Sequence, residues 1–489
     1  MIHRLSRWPA LLLVLLLAAC ASGPERPDLA RLYESQVHHA AQPPVILIHG
    51  LMGSTLVERG SGKEFWPGSI GTLAFSEYRE LARMKQAERE GGGLVPGDLF
   101  YGVARTDYYG ALIDALETVG RFKRGEPGEP VPSNDRRRYY VLLYDWRKEN
   151  IHAVRQLHEL IEQIRRDYGD PELPVDILAH SNGGLIANYY LRYGPTDVLD
   201  QDVFTPWDEG AHRIRRVVML GTPSLGAISS LERLQQGFKV AWRVVPVEVL
   251  VTFATPFEAL PHPEAKVVLS PEGHPIDFDI YDPDAWRVRR WSVFSPEVEA
   301  RVMAAAPDPE TGALNMAELQ GFFVHHLARA KRFQLALSAP VRANGVEVAV
   351  FGGDCSLTPT YAVLDRDATG ERLVVRPEDV KARAPGVDYE RLMLHPGDGL
   401  VTRESQLGRG QFFRRHRDRR AARLAGHDEQ GGAGGPLVPQ GVGQYHFHRD
   451  ALAAGHRRRG GQLGQAGFGA RGVDLRAQRQ GNARLDDGQ

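Results

Sequence analysis

The stretch Val175-Asp176-Ile177-Leu178-Ala179-His180-Ser181-Asn182-Gly183-Gly184-Leu185-Ile186 decides how the chain is read. Residues 175–178 form a short, mostly apolar run after the breaker Pro174, the pattern of a buried strand. Residues 185–193 read as a helix, stopped by Gly194-Pro195. A strand that turns through Ser-x-Gly-Gly into a helix is the nucleophile elbow, in which a tight turn presents the serine hydroxyl. The strained turn needs small neighbours, supplied here by Ala179 on one side and by Gly183 and Gly184 on the other. Ser-x-Gly alone is a common turn. The strand before it and the helix after it single out Ser181 as the candidate nucleophile.

Outward from the elbow, the chain alternates strands and helices. Residues 45–48 (Val-Ile-Leu-Ile) are an apolar strand running into His49-Gly50-Leu51-Met52-Gly53-Ser54. A strand ending in His-Gly is where many lipases place the loop that donates the second oxyanion-hole N–H. The backbone N–H groups of Leu51 and Asn182 are therefore the candidate oxyanion donors. Residues 139–144 form another strand, ending in Asp145-Trp146-Arg147. An amphipathic helix follows, with Ile151, Val154, Leu157, Leu160, Ile161 and Ile164 on one face. A strand at 216–220 and a later one at 346–351 complete the pattern. This alternation implies an α/β-hydrolase fold with a mostly parallel sheet and helices on both faces.

Two insertions interrupt the pattern. Residues near 60–100 carry aromatic residues and Gly91-Gly92-Gly93. Residues 227–260 are strongly apolar, within a cap near 227–340 that reads either as a lid or as a helical layer packed on the core. His325-His326 falls on a helix of this region and reads as packing.

The chain is 489 residues long, 42% hydrophobic and 25% charged, ordinary for a globular protein. Its net charge of −1 gives no electrostatic basis for a nucleic-acid partner. Arg4 and Arg7 precede an apolar run at 10–19 that is too short to span a bilayer. Its ending, Leu17-Ala18-Ala19-Cys20, resembles a bacterial lipobox. Residues 1–19 are then a signal peptide, Cys20 the lipidated first residue, and residues 20–43 a flexible tether. The localisation expected is the bacterial cell envelope, as an outer-membrane lipoprotein anchored through its N-terminal lipid. With Cys20 acylated, Cys355 is the only thiol left, so no intrachain disulfide is expected. No phosphate loop or metal-ligand cluster stands out, so neither cofactor nor metal is expected.

Taken together, PVILIHGLMGSTL, FWPG, YDWR, AHSNGG, GTPSLG, ATPFEALP and PGDGLVTRES resemble the lecithin:cholesterol acyltransferase family. That family includes lysosomal phospholipases and diacylglycerol acyltransferases. The matching stretches run in the family's order over residues 43–408. The resemblance implies acyl-ester chemistry on glycerolipids through a Ser-Asp-His triad, with a membrane-lipid substrate and a mobile lid after GTPSLG. It also implies that Ser181 is the nucleophile, that Leu51 and Asn182 are the oxyanion donors, and that Asp398 is the acid. Two departures are visible. Animal members carry a disulfide that this chain cannot form, and His49-Gly50 stands where the family often has Pro-Gly.

From the residues alone two acids compete. Asp354 directly follows a strand, and Asp398 sits between glycines in Pro396-Gly397-Asp398-Gly399. The resemblance favours Asp398. The base must follow the acid in the chain. The main domain, residues 44–410, gives way there to a tail, 411–489, without Lys, Ile, Met, Ser, Thr, Trp or Cys. Such a composition reads as disordered, or as the product of a reading-frame change. His427, which follows Asp398 by 29 residues, is the candidate base, with His416, His446 and His448 as alternatives. The function expected is a lipid acyl-ester hydrolase or O-acyltransferase. The alternative is a non-catalytic envelope lipoprotein that binds lipid through the cap.

Overall fold

A computed structural model describes residues 42–84, 93–103, 106–240, 243–339, 341, 345–368 and 370–408, and the backbone of 445–449. Cys20, His416 and His427 lie outside the described residues.

The central sheet is built from β1 (Val45–Ile48), β2 (Lys123–Arg124), β3 (Arg138–Leu142), β4 (Val175–His180), β5 (Ile214–Leu220), β6 (Glu347–Gly353) and β7 (Tyr445–Arg449). Its spatial order is β7-β6-β5-β4-β1-β3-β2. The pairs from β2 through β6 are parallel, and β7 adds antiparallel to β6. This is the α/β-hydrolase sheet expected from the alternation of strands and helices. Register brings the carboxyl ends together: Ile48 lies opposite Ala179, and Leu220 lies opposite both His180 and Phe351. The loops after β1, β4, β5 and β6 therefore open along one edge, where ligands of open α/β sheets bind.

Two long helices follow the sequence periodicity. α1 (Asn150–Tyr168) buries Ile151, Val154, Leu157, Ile161 and Ile164 against the sheet. α2 (Asn182–Tyr193) is buried along its whole length, as a helix enclosed by sheet and cap must be. The cap is dominated by α3 (Pro309–Leu337), which starts at an Asp308 side-chain cap on Thr311 N–H. The cap has a core of its own around Leu231, Phe257, Trp286, Phe323 and Leu327.

The apolar stretch 227–260 divides in two. Leu231, Leu234, Leu250, Phe253, Phe257 and Leu260 are all fully buried. At roughly 1.5–3 kcal/mol for each such side chain, exposing all of this set together would cost about as much as the whole stability of a typical domain. Most of the segment is therefore a packed layer. The hairpin formed by Phe238–Val240 and Arg243–Val245 stands out from it, with Val244 46% exposed. In the earlier insertion, Trp66 and Tyr78 are buried in the main core, while Phe75 is 82% exposed. No helix among the described residues is long and apolar enough to cross a membrane.

Candidate active site

Ser181 sits at the turn from β4 into α2 with φ 52° and ψ −118°, a backbone strained for a residue with a side chain. Its N–H donates to Leu220 O at 2.8 Å, which ties the elbow to the end of β5. The neighbouring glycines are required by close packing. A Cβ on Gly183 would lie 2.4 Å from Ile48 O, and one on Gly184 would lie 1.9 Å from Thr222 Oγ1.

The loop after β1 presses on the same turn. A Cβ on Gly50 would meet Ser181 Cβ at 2.9 Å. Gly53 N–H closes the turn onto Gly50 O at 3.1 Å, with Met52 at φ 61°. That conformation is held because Trp66 Nε1 donates to Met52 O. Gly50 N–H is already committed, donating to Tyr109 Oη at 2.8 Å, and Tyr109 Oη lies 2.8 Å from His180 Nδ1. Tyr109 Oη thus bridges the Gly50 N–H and the His180 imidazole. The backbone N–H groups of Leu51 and Asn182 remain without an acceptor among the described residues. Asn182 directly follows Ser181, and Gly50, the neighbour of Leu51, lies against the Ser181 side chain.

The histidines beside Ser181 are not poised as bases. Burial holds His49 at a pKa of about 4, with Gly50 O opposing the shift and His180 adding to it; burial alone holds His180 at about 4. Both stay neutral at pH 7. His49 stacks flat on Tyr144 at 4.2 Å, and Tyr144 Oη donates to His49 O. Tyr144 Oη also accepts from Asn182 Nδ2, which in turn donates to Asn150 Oδ1 at 2.7 Å.

Below that amide pair, Asn150 N–H donates to both carboxylate oxygens of Glu258. Glu258 is completely enclosed, and burial first, then the charge of Glu149, pushes its carboxyl well above the usual Glu range. A raised pKa means the folded protein binds this proton more tightly than the unfolded chain. Stability from the group is thus full below the ordinary Glu pKa and is lost as pH rises through the folded value. Glu258→Gln, which cannot titrate, is expected to cost less than about 1 kcal/mol at acidic pH and to gain on the parent as pH rises. Denaturant melts across pH check this; parallel profiles for the two proteins would refute it.

The two candidate acids occupy different surroundings. Asp354 follows β6, lies 3.5 Å from Arg403 and accepts from Cys355 Sγ. Asp398 Oδ1 accepts from Leu400 N–H and Val401 N–H, while Oδ2 lies against Gly221, the residue just after β5. Gln406 Nε2 pins the loop by donating to Gly353 O and Val401 O. Enclosure by protein raises the Asp398 carboxyl above its ordinary value, against the pull of the Val401 and Leu400 N–H groups. By its accessible surface the residue is nonetheless exposed. We expect Asp398→Asn to lower kcat by about 10⁴-fold and Asp354→Asn to change it little. The reverse order would make Asp354 the acid.

Among the described residues no histidine is hydrogen-bonded to Asp398 or Ser181. His446 and His448 lie on β7, their backbones opposite Gly352 and Val350 of β6. Several supporting residues escaped the sequence reading. Tyr109 and Asn150 belong to no motif in the sequence, and Glu258 stands out only as part of ATPFEALP. The YDWR motif proves to be scaffold. Arg147 pairs bidentately with Asp145 and donates to Leu81 O and Leu94 O, while Trp146 donates to Ser54 O. It ties the first insertion, at Leu81 and Leu94, to the segment at Ser54 that follows the loop after β1.

Residues 137–257 match the family model described as lecithin:cholesterol acyltransferase. No curated protein matches the chain. Among solved structures, a chain of the Tle4–Tli4 complex is similar, with a TM-score of 0.44 and 16% identity over 75% of this chain and 89% of that one. The mature form of the Bacillus licheniformis lipase BlEst2 has a TM-score of 0.20 and 14% identity over 47% of this chain and 58% of that one. Its propeptide form has a TM-score of 0.17 and 16% identity, covering 48% and 32%.

Proposed function

We propose that the chain is an α/β hydrolase similar to the lecithin:cholesterol acyltransferase family, whose model matches residues 137–257, and that it cleaves acyl esters of membrane lipids through an acyl-enzyme on Ser181. The observation that carries this reading is the strained turn at Ser181, with the N–H groups of Leu51 and of the following Asn182 left without an acceptor among the described residues. Ser181 Oγ attacks the ester carbonyl while the base removes its proton. The oxyanion that forms accepts from Leu51 N–H and Asn182 N–H, each such donor being worth about 3 kcal/mol of barrier. Collapse expels the lipid alcohol, which takes the proton back from the base. Water or a second alcohol then attacks the acyl-enzyme, giving hydrolysis or transfer. Asp398 orients the base, and His427 is the base proposed.

Two features support a lipid surface as the place of work. Arg243 of the hairpin donates to Ser76 O, which brings exposed Val244 beside the helix bearing exposed Phe75. Acylation of Cys20 would tether the domain to the bacterial envelope, as an outer-membrane lipoprotein. The test is incubation with phospholipid vesicles carrying labelled acyl chains, with and without added diacylglycerol. Labelled fatty acid or triacylglycerol, together with label on the Ser181 peptide, is the expected result. Lipid binding without acyl release would instead favour the non-catalytic lipoprotein.

A further inference from the structure

We propose that Glu149, His325 and His326 form a binding site for a divalent transition-metal ion, with zinc as the natural occupant, joining the cap to the start of α1. Glu149 is the residue immediately before α1, and the two histidines lie midway along α3. One ligand atom from each of the three falls within 4.8 Å of the others. Consecutive residues on a helix diverge by roughly 100°. Here the two imidazoles are nonetheless only 5.4 Å apart, centroid to centroid, and each has a ring nitrogen within 4.8 Å of the Glu149 carboxylate.

His326 is the second, independent observation. It is 6% exposed, and neither Nδ1 nor Nε2 meets a protein hydrogen-bond partner. Its ring is set between Phe257 and Phe322. A buried imidazole with two unmet nitrogens is unfavourable, and buried polar atoms in folded proteins rarely go unpaired. A metal ion on one nitrogen removes that defect. His325, by contrast, lies at the surface with its Nε2 3.3 Å from Glu149 Oε1, so an ion has an open route in. The donor set of two imidazole nitrogens and one carboxylate oxygen suits zinc and leaves a fourth position for water.

Arg329 does not block the site. Its guanidinium contacts Glu149 Oε2 at 2.8 Å, but it is also paired with Asp197 and Asp200. Its charge is thus matched twice over, and Glu149 Oε1 faces the histidines. The consequence is local to the oxyanion loop. Asn150, one residue from Glu149, holds the side chain of Asn182. A bound ion would fix α3 against that corner and steady the donor beside Ser181. This differs from the sequence reading, in which the histidine pair was packing and no metal was expected.

The test uses the full chain, stripped with a chelator and titrated with zinc chloride by calorimetry, with cobalt(II) absorption as a second readout. About one saturable equivalent is expected. Surface His325→Ala, which disturbs no packing, is expected to weaken it on the order of 100-fold or more, as is Glu149→Gln. His152→Ala, an exposed histidine of α1, is the control and is expected to leave binding unchanged. Zinc should raise the melting temperature of the parent and not of His325→Ala. Absence of saturable binding, or equal binding by parent and His325→Ala, would overturn the proposal. Neither outcome depends on Ser181 chemistry.

Discussion

Ser181→Ala is expected to abolish labelling by a fluorophosphonate probe and to lower turnover on lipid esters by roughly 10⁶-fold, the order seen when a triad nucleophile is removed. The expectation rests on geometry. The serine stands at φ 52° on a turn clamped by Leu220 O, Ile48 O and Thr222, with no slack for another side chain to take its place. Folding should survive, because removing one hydroxyl at that turn opens no core cavity. The residual rate would come from the Leu51 and Asn182 N–H groups and from binding alone. Labelling that persists in the variant would place the nucleophile elsewhere.

The second large effect concerns the base. If His427 completes the triad, deleting residues 411–489 should cost several powers of ten in turnover, and His427→Ala should match the deletion. The structure sharpens this expectation. His49 and His180, the histidines nearest the nucleophile, are held neutral by burial, and their Nδ1 atoms are engaged with Gly50 O and Tyr109 Oη. Neither can replace a missing base. Asp398 Oδ2 lies beside Gly221, and the residue is exposed. Full activity in the deletion would remove His427 from the site. A parent as inactive as the deletion would mark the tail as the product of a reading-frame change, which sequencing across codons 405–430 would show directly.

The lid reading changes most on contact with the structure. Composition alone made 227–260 either a mobile lid or a packed layer. Burial of its large side chains makes most of it packed, and among its described residues Val244, in the strand Arg243–Val245, is the large apolar side chain left exposed. Composition reports how apolar a segment is; which partner covers it is decided by elements far away in the chain, here α3 and the sheet.

Local pattern sufficed for the elbow, the strand-helix alternation and the His-Gly loop. Each depends on residues adjacent in sequence, where strand and helix periods and turn sterics act directly. The sequence by itself therefore determined the α/β class and the candidate positions of Ser181, Leu51 and Asn182. Only the tertiary structure decided that Tyr109 occupies the Gly50 N–H, that Glu258 and Asn150 brace Asn182, and that Asp398 and Asp354 face different neighbours. It also brought Glu149 to His325 and His326 across 176 positions of chain. Such contacts carry no local signal, because they arise from sheet register and from how helices stack, and hydrogen bonds between distant residues form only after that packing is complete.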